Sequence, residues 1–188
     1  FGDSFDEAYE YALKVSDKDD TIFIHPFDDP LVIAGQGTVA KEIVEEFNGT
    51  PDIFFIPVGG GGLISGMSIY LKEHYPNSKI YGVESEDAPT LYSSMKEGAP
   101  TKLDQVGLFV DGCAVKKIGE ETFKIAKDNV DEVILVSIDE TCAAIKDIYE
   151  DTRVMSEPAG ALSIAGMKKF ITNNNIKNKT ILSINSGA

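Results

Sequence analysis

The sequence predicts an α/β fold, with an open, mostly parallel sheet covered by helices on both faces in a three-layer αβα arrangement. Three observations support this. Short runs at 53–58, 80–83 and 181–184 are almost entirely apolar, as expected for strands buried on both faces. Helical patterns separate these runs, which matches the crossovers that parallel strands need. No internal repeat or long linker divides the 188 residues, so we expect a single domain over 1–188.

Capping signals and hydrophobic periodicity predict the remaining elements. Ser4 and Glu7 form a capping-box pattern, and Ser137 and Glu140 form a second one that opens a helix to about residue 150. Pro158 begins another helix that is predicted to end near residue 171. Further helices are predicted at 37–47, 63–74, 88–95 and 119–130, further strands at 21–24 and 133–136, and loops at 27–30 and 96–105.

Composition restricts the partners and the compartment. The net charge of −14 disfavours nucleic acid and anionic membranes, because both bind basic surfaces. No apolar run is long enough to span a bilayer, and no signal-peptide pattern is present. Cys113 and Cys142 lie outside metal or redox motifs, so we expect two buried thiols in a reducing compartment. We therefore expect a soluble protein of the cytoplasm or of an organelle such as the mitochondrion or plastid.

The four consecutive glycines at 59–62 lie between a predicted buried strand and a predicted helix. Consecutive glycines cost backbone entropy, so their presence needs a structural reason. At a strand-to-helix turn they let backbone N–H groups converge beside the helix dipole, which is typical of a phosphate site. The sequence after them lacks the lysine of a nucleotide P-loop, and the dinucleotide glycine spacing is not met. A tight turn with close helix packing, aided by Gly66, is the alternative.

Weaker motifs lie at other predicted element ends. The residues at 185–188 follow the last strand, and parallel strands share one carboxyl edge, so Ser186 can face the glycines across one crevice. Its hydroxyl could hydrogen-bond a ring nitrogen without imposing a charge. Glu157 precedes a helix, where an acid is stabilising even without a ligand. Gly112 leaves room for a flat ligand, and the glycine-rich stretch 34–38 is explained equally well as a helix cap.

In this order, the motifs resemble the fold-type II pyridoxal-phosphate (PLP) enzymes, and most closely the biosynthetic threonine dehydratases. The matching segments extend from end to end: 26–28, 32–38, 57–63, 81–84, 110–112, 119–123, 157–161 and 186–188. The glycine loop and the terminal Ser-Gly are typical of the fold type. The strings GQGT at 35–38 and GEETF at 119–123 favour threonine dehydratase within it.

The resemblance implies that the chain is the larger, PLP-binding domain of such an enzyme. It implies cofactor contacts from Gly59, Gly60, Gly61, Gly62 and Leu63 at the phosphate, from Ser186 at the pyridine nitrogen, and from Gly112 and Glu157 beside the cofactor. In relatives such as serine racemase, a divalent cation is held at three positions that correspond here to Glu84, Ala88 and Thr90. Threonine does not fit that pattern, so no metal is expected, and Glu84 and Ala88 are only weak candidates.

The implied activity is that of a lyase: PLP-dependent dehydration and deamination of L-threonine to 2-oxobutanoate and ammonia, in isoleucine and branched-chain amino-acid biosynthesis. Serine racemase and the catabolic serine/threonine dehydratases share most motifs and stay open as alternatives, as does a non-catalytic phosphate-binding module. The family's Schiff-base lysine segment is not found in the sequence, which begins at Phe1 without a methionine. We therefore expect an excerpt, inactive by itself, of a longer homo-oligomeric enzyme that acts on an amino acid and carries any regulatory domain elsewhere.

Overall fold

The computed structural model of the protein describes residues 1–2, 5–18 and 21–188. Within these residues the strands are β1 (Ile53–Pro57), β2 (Lys79–Ser85), β3 (Glu132–Val136) and β4 (Ile181–Ser183). The helices are α1 (Phe5–Ser16), α2 (Pro30–Gln36), α3 (Thr38–Glu46), α4 (Gly62–His74), α5 (Thr90–Glu97), α6 (Glu120–Asn129), α7 (Ile138–Thr152) and α8 (Pro158–Asn174), with a short 3-10 helix at Asp111–Cys113. The strands pair in parallel in the order β3-β2-β1-β4. The predicted α/β class is confirmed.

Two apolar cores lie on opposite faces of the sheet. Phe54 and Ile56 of β1 pack into one core, with residues of α3, α4 and α6. Phe55 of the same strand packs into the other core, with residues of α7 and α8 such as Leu162. Successive side chains of a strand point to opposite faces, so a strand covered on both sides is apolar at every position. This is why β1 appears as a continuous apolar run in the sequence.

The N-terminal region contains the clearest departure from the predicted elements. The predicted strand at 21–24 is wrong, because these residues have no regular structure, and Ile22 and Ile24 are 92% and 71% exposed. A strand needs a partner edge, which local apolar residues do not specify. Helix α2 was missed. Its signals are Asp29, which accepts hydrogen bonds from the backbone N–H groups of Leu31 and Val32, and a proline in the first turn.

The capping and cysteine predictions have mixed outcomes. The box that opens α7 is confirmed, since the Ser137 hydroxyl accepts from the Glu140 N–H at 3.2 Å and the Glu140 carboxylate accepts from the Ser137 N–H at 2.8 Å. The other box includes Ser4, which lies outside the described residues. Cys113 is buried, but Cys142 is exposed, so the expectation of two buried thiols is wrong. The helical period turns other residues of α7 toward the sheet and Cys142 toward solvent.

No helix in the described part of the chain combines the length and the apolar character needed to cross a membrane.

Candidate functional site

A cleft of about 350 Å³ lies at the carboxyl edge of the sheet, where β1 and β4 end. All eight residues that the resemblance assigns to the cofactor line this cleft: Gly59, Gly60, Gly61, Gly62, Leu63, Gly112, Glu157 and Ser186. Strand β1 ends two residues before the glycines, and β4 ends three residues before Ser186. The two loops share a crevice because parallel strands bring their carboxyl ends to the same edge.

The glycine loop at 59–62 needs glycine for steric reasons. Gly61 adopts a φ of +92°, which residues with a side chain rarely adopt, and it serves as the N-cap of α4. A Cβ at Gly61 would lie 2.9 Å from Cβ of Thr122, and a Cβ at Gly59 would lie 3.0 Å from Cα of Cys113. The close packing that was the alternative explanation is therefore present. It accounts for the glycines, but it does not account for the unused hydrogen-bond donors of the loop.

Those donors are backbone N–H groups at the floor of the cleft. Among the described residues, none accepts a hydrogen bond from the N–H groups of Gly60, Gly61, Gly62 or Leu63. Gly61 and Gly62 are buried, and buried N–H groups without an acceptor are rare in folded proteins. Several such groups at the start of a 13-residue helix suit an anion, because the helix dipole adds to their attraction. The loop therefore fits a phosphate group.

Besides the glycine loop, the cleft is lined by Glu157, Gly112 and Ser186. Glu157 is the N-cap of α8, yet within the described chain its side chain makes no capping bond. A Cβ at Gly112 would lie 2.9 Å from Cβ of Ala159 and 3.8 Å from Oε1 of Glu157. Oγ of Ser186 lies 3.5 Å from the Ala159 carbonyl, which is too long for a strong hydrogen bond. The Ser186 hydroxyl therefore remains available to a ligand.

Glu84, the weak metal candidate, caps helix α5. Its buried carboxylate accepts hydrogen bonds from the N–H groups of Leu91 at 2.7 Å and Tyr92 at 2.9 Å, and from Oγ1 of Thr90 at 2.9 Å. Burial raises the pKa of Glu84 to about 7 despite these hydrogen bonds. Within the described residues, no group of three or more His, Cys, Asp or Glu side chains could hold a metal ion. Ala88, the other weak candidate, is buried in the turn before α5.

Cys113 lines the cleft without being a reactive thiol. Burial, reinforced by the charges of Glu84, Glu157 and Asp111, raises the pKa of the Cys113 thiol to about 12. The thiol therefore stays protonated near neutral pH and is a weak nucleophile.

Sequence reasoning missed a second carboxylate near the glycine loop. Asp28 accepts hydrogen bonds from the first N–H groups of α6: Glu120 at 2.9 Å, Glu121 at 3.0 Å and Thr122 at 3.1 Å. Capping rules look for an acid directly before a helix, whereas Asp28 is more than 90 residues away from α6 in the chain. The only sequence signal was its place in the matching segment 26–28.

A larger groove of about 450 Å³ lies between α2, α3, α4 and α6, but its lining is mostly apolar. The smaller cleft combines unused N–H donors with polar side chains, as a site for a phosphorylated ligand requires. We therefore assign the candidate site to the cleft at the carboxyl edge.

The family model of pyridoxal-phosphate dependent enzymes matches residues 1–187, and the chain belongs to this family. The predicted family and cofactor are confirmed, and the unused N–H groups of the glycine loop fit the phosphate that this cofactor carries. The biosynthetic L-threonine dehydratase of Pasteurella multocida is 48% identical over 187 residues, which cover 100% of this chain. The chain spans 36% of that relative's length.

Two solved structures share the fold. Threonine deaminase isoform 2 from Solanum lycopersicum, in its processed form, superposes with a TM-score of 0.95 at 45% identity, covering 100% of this chain and 55% of that one. Serine racemase from Dictyostelium discoideum superposes with a TM-score of 0.82 at 35% identity, covering 95% of this chain and 57% of that one. Both share the arrangement of helices and sheet, and the first also shares more of the sequence.

Proposed function

We propose that residues 1–188 form the single PLP-binding domain of a biosynthetic threonine dehydratase, which converts L-threonine to 2-oxobutanoate and ammonia for isoleucine biosynthesis. The observation that carries this proposal is the identity of 48% to the Pasteurella multocida threonine dehydratase and of 45% to the Solanum lycopersicum threonine deaminase, against 35% to the Dictyostelium discoideum serine racemase. The convergence of the eight cofactor residues on one cleft supports the PLP-binding part of the proposal.

Each wall of the cleft has a distinct role in this proposal. The N–H groups of the glycine loop and of Leu63 bind the phosphate, so that the acidic protein needs no lysine or arginine there. Gly112 and Glu157, which both line the cleft, would lie beside the ring of the cofactor. The hydroxyl of Ser186 would hydrogen-bond the pyridine nitrogen without placing a formal charge next to it.

When bound, the cofactor supplies an electron sink for negative charge at the α-carbon of the amino acid. With the neutral hydroxyl of Ser186 instead of a carboxylate beside it, the pyridine nitrogen would be protonated to a smaller extent, and the electron sink would be weaker. Such a site would suit loss of the β-hydroxyl group of the substrate better than transamination. The catalytic lysine and most substrate-recognising residues belong, in this proposal, to segments outside the 188 residues. The same proposal includes a homo-oligomeric assembly in the cytoplasm or in an organelle.

The decisive test measures release of 2-oxo acid from L-threonine and from L-serine by the full-length protein with added PLP. We expect release from both, with a higher kcat/KM for threonine. Formation of D-serine from L-serine, measured by chiral chromatography, tests the racemase alternative in the same preparation. Racemisation without 2-oxo acid would assign the chain to a racemase. Absence of PLP binding, seen as no visible absorbance band, would instead favour a non-catalytic phosphate-binding module.

A further inference from the structure

Two buried threonines hold the glycine loop from the side opposite to the cleft. Oγ1 of Thr90 donates to the Gly59 carbonyl at 3.2 Å, and Oγ1 of Thr122 donates to the Gly60 carbonyl at 2.8 Å. Both threonines are fully buried, and neither lines the cleft. We propose that Thr90 and Thr122 are positioning residues that keep the N–H groups of the loop directed at the cofactor phosphate, an inference that rests on the PLP-binding role proposed above.

The planarity of the peptide bond connects these carbonyls to the unused donors. In a trans peptide unit, the carbonyl of one residue and the N–H of the next point in opposite directions. The hydrogen bond from Thr90 directs the Gly59 carbonyl into the protein interior. The Gly60 N–H, in the same peptide unit, is therefore directed away from the interior and toward the cleft. The bond on the Gly60 carbonyl acts on the Gly61 N–H in the same way. The two threonines thus set the direction of two N–H groups that have no acceptor among the described residues.

A run of glycines needs this support more than other loops do. Glycine has no Cβ, so a peptide unit between glycines can rotate into alternative orientations at little steric cost. The next carbonyl, of Gly61, accepts from the Ser65 N–H at 3.0 Å, as the first bond of helix α4. The helix therefore orients the third peptide unit. The first two lie outside the helix and depend on the threonine side chains, with the Gly119 N–H as a weaker donor to Gly60 at 3.3 Å.

Each threonine is itself anchored to the scaffold. Thr90 also donates to the Glu84 carboxylate at 2.9 Å, and the Thr122 carbonyl accepts from Oγ of Ser65 at 2.9 Å. A threonine hydroxyl has a single proton, so Thr90 shares it between Glu84 and Gly59. The Glu84 carboxylate is the nearer acceptor of this proton. The hydrogen bond from Thr90 to the Gly59 carbonyl is therefore weaker than the one from Thr122 to the Gly60 carbonyl. Thr122 is consequently the more important of the two positioning residues.

The test compares PLP with pyridoxal, which lacks the phosphate, in equilibrium titrations of the full-length protein. Thr122→Val removes the hydroxyl while keeping the side-chain volume. We expect it to weaken PLP binding by about tenfold, the effect of losing one hydrogen bond, and to leave pyridoxal binding within about twofold. Thr122→Ser keeps the hydroxyl and should restore PLP affinity. Thr90→Val should show the same selectivity with a smaller loss.

Thr141→Val is the matched control, because the buried Thr141 hydroxyl donates to the Ser137 carbonyl at 3.0 Å, at the start of α7 and away from the glycine loop. It should lower the unfolding temperature without changing the PLP-to-pyridoxal preference. Equal losses for both ligands in Thr122→Val, or no loss for PLP, would overturn the positioning role. If Thr122→Val does not fold, the same criteria apply to Thr90→Val. A wild-type protein that does not prefer PLP would instead refute the phosphate role of the loop itself.

Discussion

The two edges of the sheet differ in whether their polar groups have hydrogen-bond partners. At the amino edge, polar groups are paired: the Asp131 carboxylate accepts hydrogen bonds from Lys72 at 2.9 Å, from Lys79 at 2.6 Å and from the Ile80 N–H at 2.9 Å. At the carboxyl edge, the N–H groups of the glycine loop have no acceptor among the described residues. Paired groups stabilise the fold, whereas unpaired buried donors are costly unless a ligand completes them. This difference supports the proposal that the carboxyl edge of the sheet binds the cofactor.

The same contrast appears in the pKa values of two acids. Burial acts to raise the pKa of Asp131, but the hydrogen bonds from Lys79, Ile80 and Lys72 hold it below its ordinary value. Glu84 is fully buried, and burial raises its pKa to about 7 although the hydrogen bonds that its carboxylate accepts act to lower it. The two acids thus differ in burial as well as in partners: Asp131 is partly exposed and has two ammonium partners, whereas Glu84 is enclosed and has only N–H and O–H dipoles.

The largest expected effect comes from filling the glycine loop. Gly61→Ala places a Cβ at positive φ and 2.9 Å from Thr122, so we expect PLP affinity to fall by about a hundredfold. Gly98→Ala is a matched control, since Gly98 also has a positive φ, +76°, but has no atom within 4 Å of the added Cβ. It should leave PLP affinity unchanged. Equal PLP affinities in the two variants, measured by absorbance titration, would contradict the assignment of the loop.

The next effect concerns pH and Glu84. Its pKa is about 7 in the folded protein and 4.5 ordinarily, so between these values the folded state keeps a proton that the unfolded state has lost. Stability from this group is therefore complete below about pH 4.5 and is lost as the pH rises through about 7, by on the order of 3 kcal/mol.

Glu84→Gln should remove that pH dependence. The informative quantity is the difference in unfolding free energy between variant and wild type, from urea denaturation at pH 5 and pH 8. A neutral amide does not titrate, so the variant should lose less stability than the wild type over this interval. Parallel pH profiles for the two proteins would mean that Glu84 titrates near its ordinary pKa.

The smallest effect is expected at the amino edge. Asp131→Asn weakens the interactions with Lys72 and Lys79, and should lower the free energy of unfolding by about 1 kcal/mol without changing PLP affinity. Denaturation and PLP titration of the same variant test both parts. A change in PLP affinity would show that the amino edge also contributes to the cofactor site.

Much of the binding edge could be predicted from local sequence. The apolar run at 53–58 implied a strand covered on both faces, and the glycines directly after it implied a turn at its carboxyl end. Parallel strands share one edge, so the loop before Ser186 was expected to meet the glycine loop, and both line one cleft. These inferences succeeded because they depend on residues that are neighbours in the chain and on a general property of parallel sheets.

What the sequence by itself determined was the class of fold, the order of its main strands and helices along the chain, and the position of the glycine loop that we propose as the phosphate site. Tertiary structure alone decided that residues 21–24 do not pair, that Cys142 faces solvent, and that Asp28 caps α6. It also decided which side chains orient the glycine loop, since Thr90 and Thr122 are 31 and 62 residues away from the carbonyls they hold. Contacts at such separations depend on how crossovers stack elements on the sheet, and local preferences do not encode that stacking.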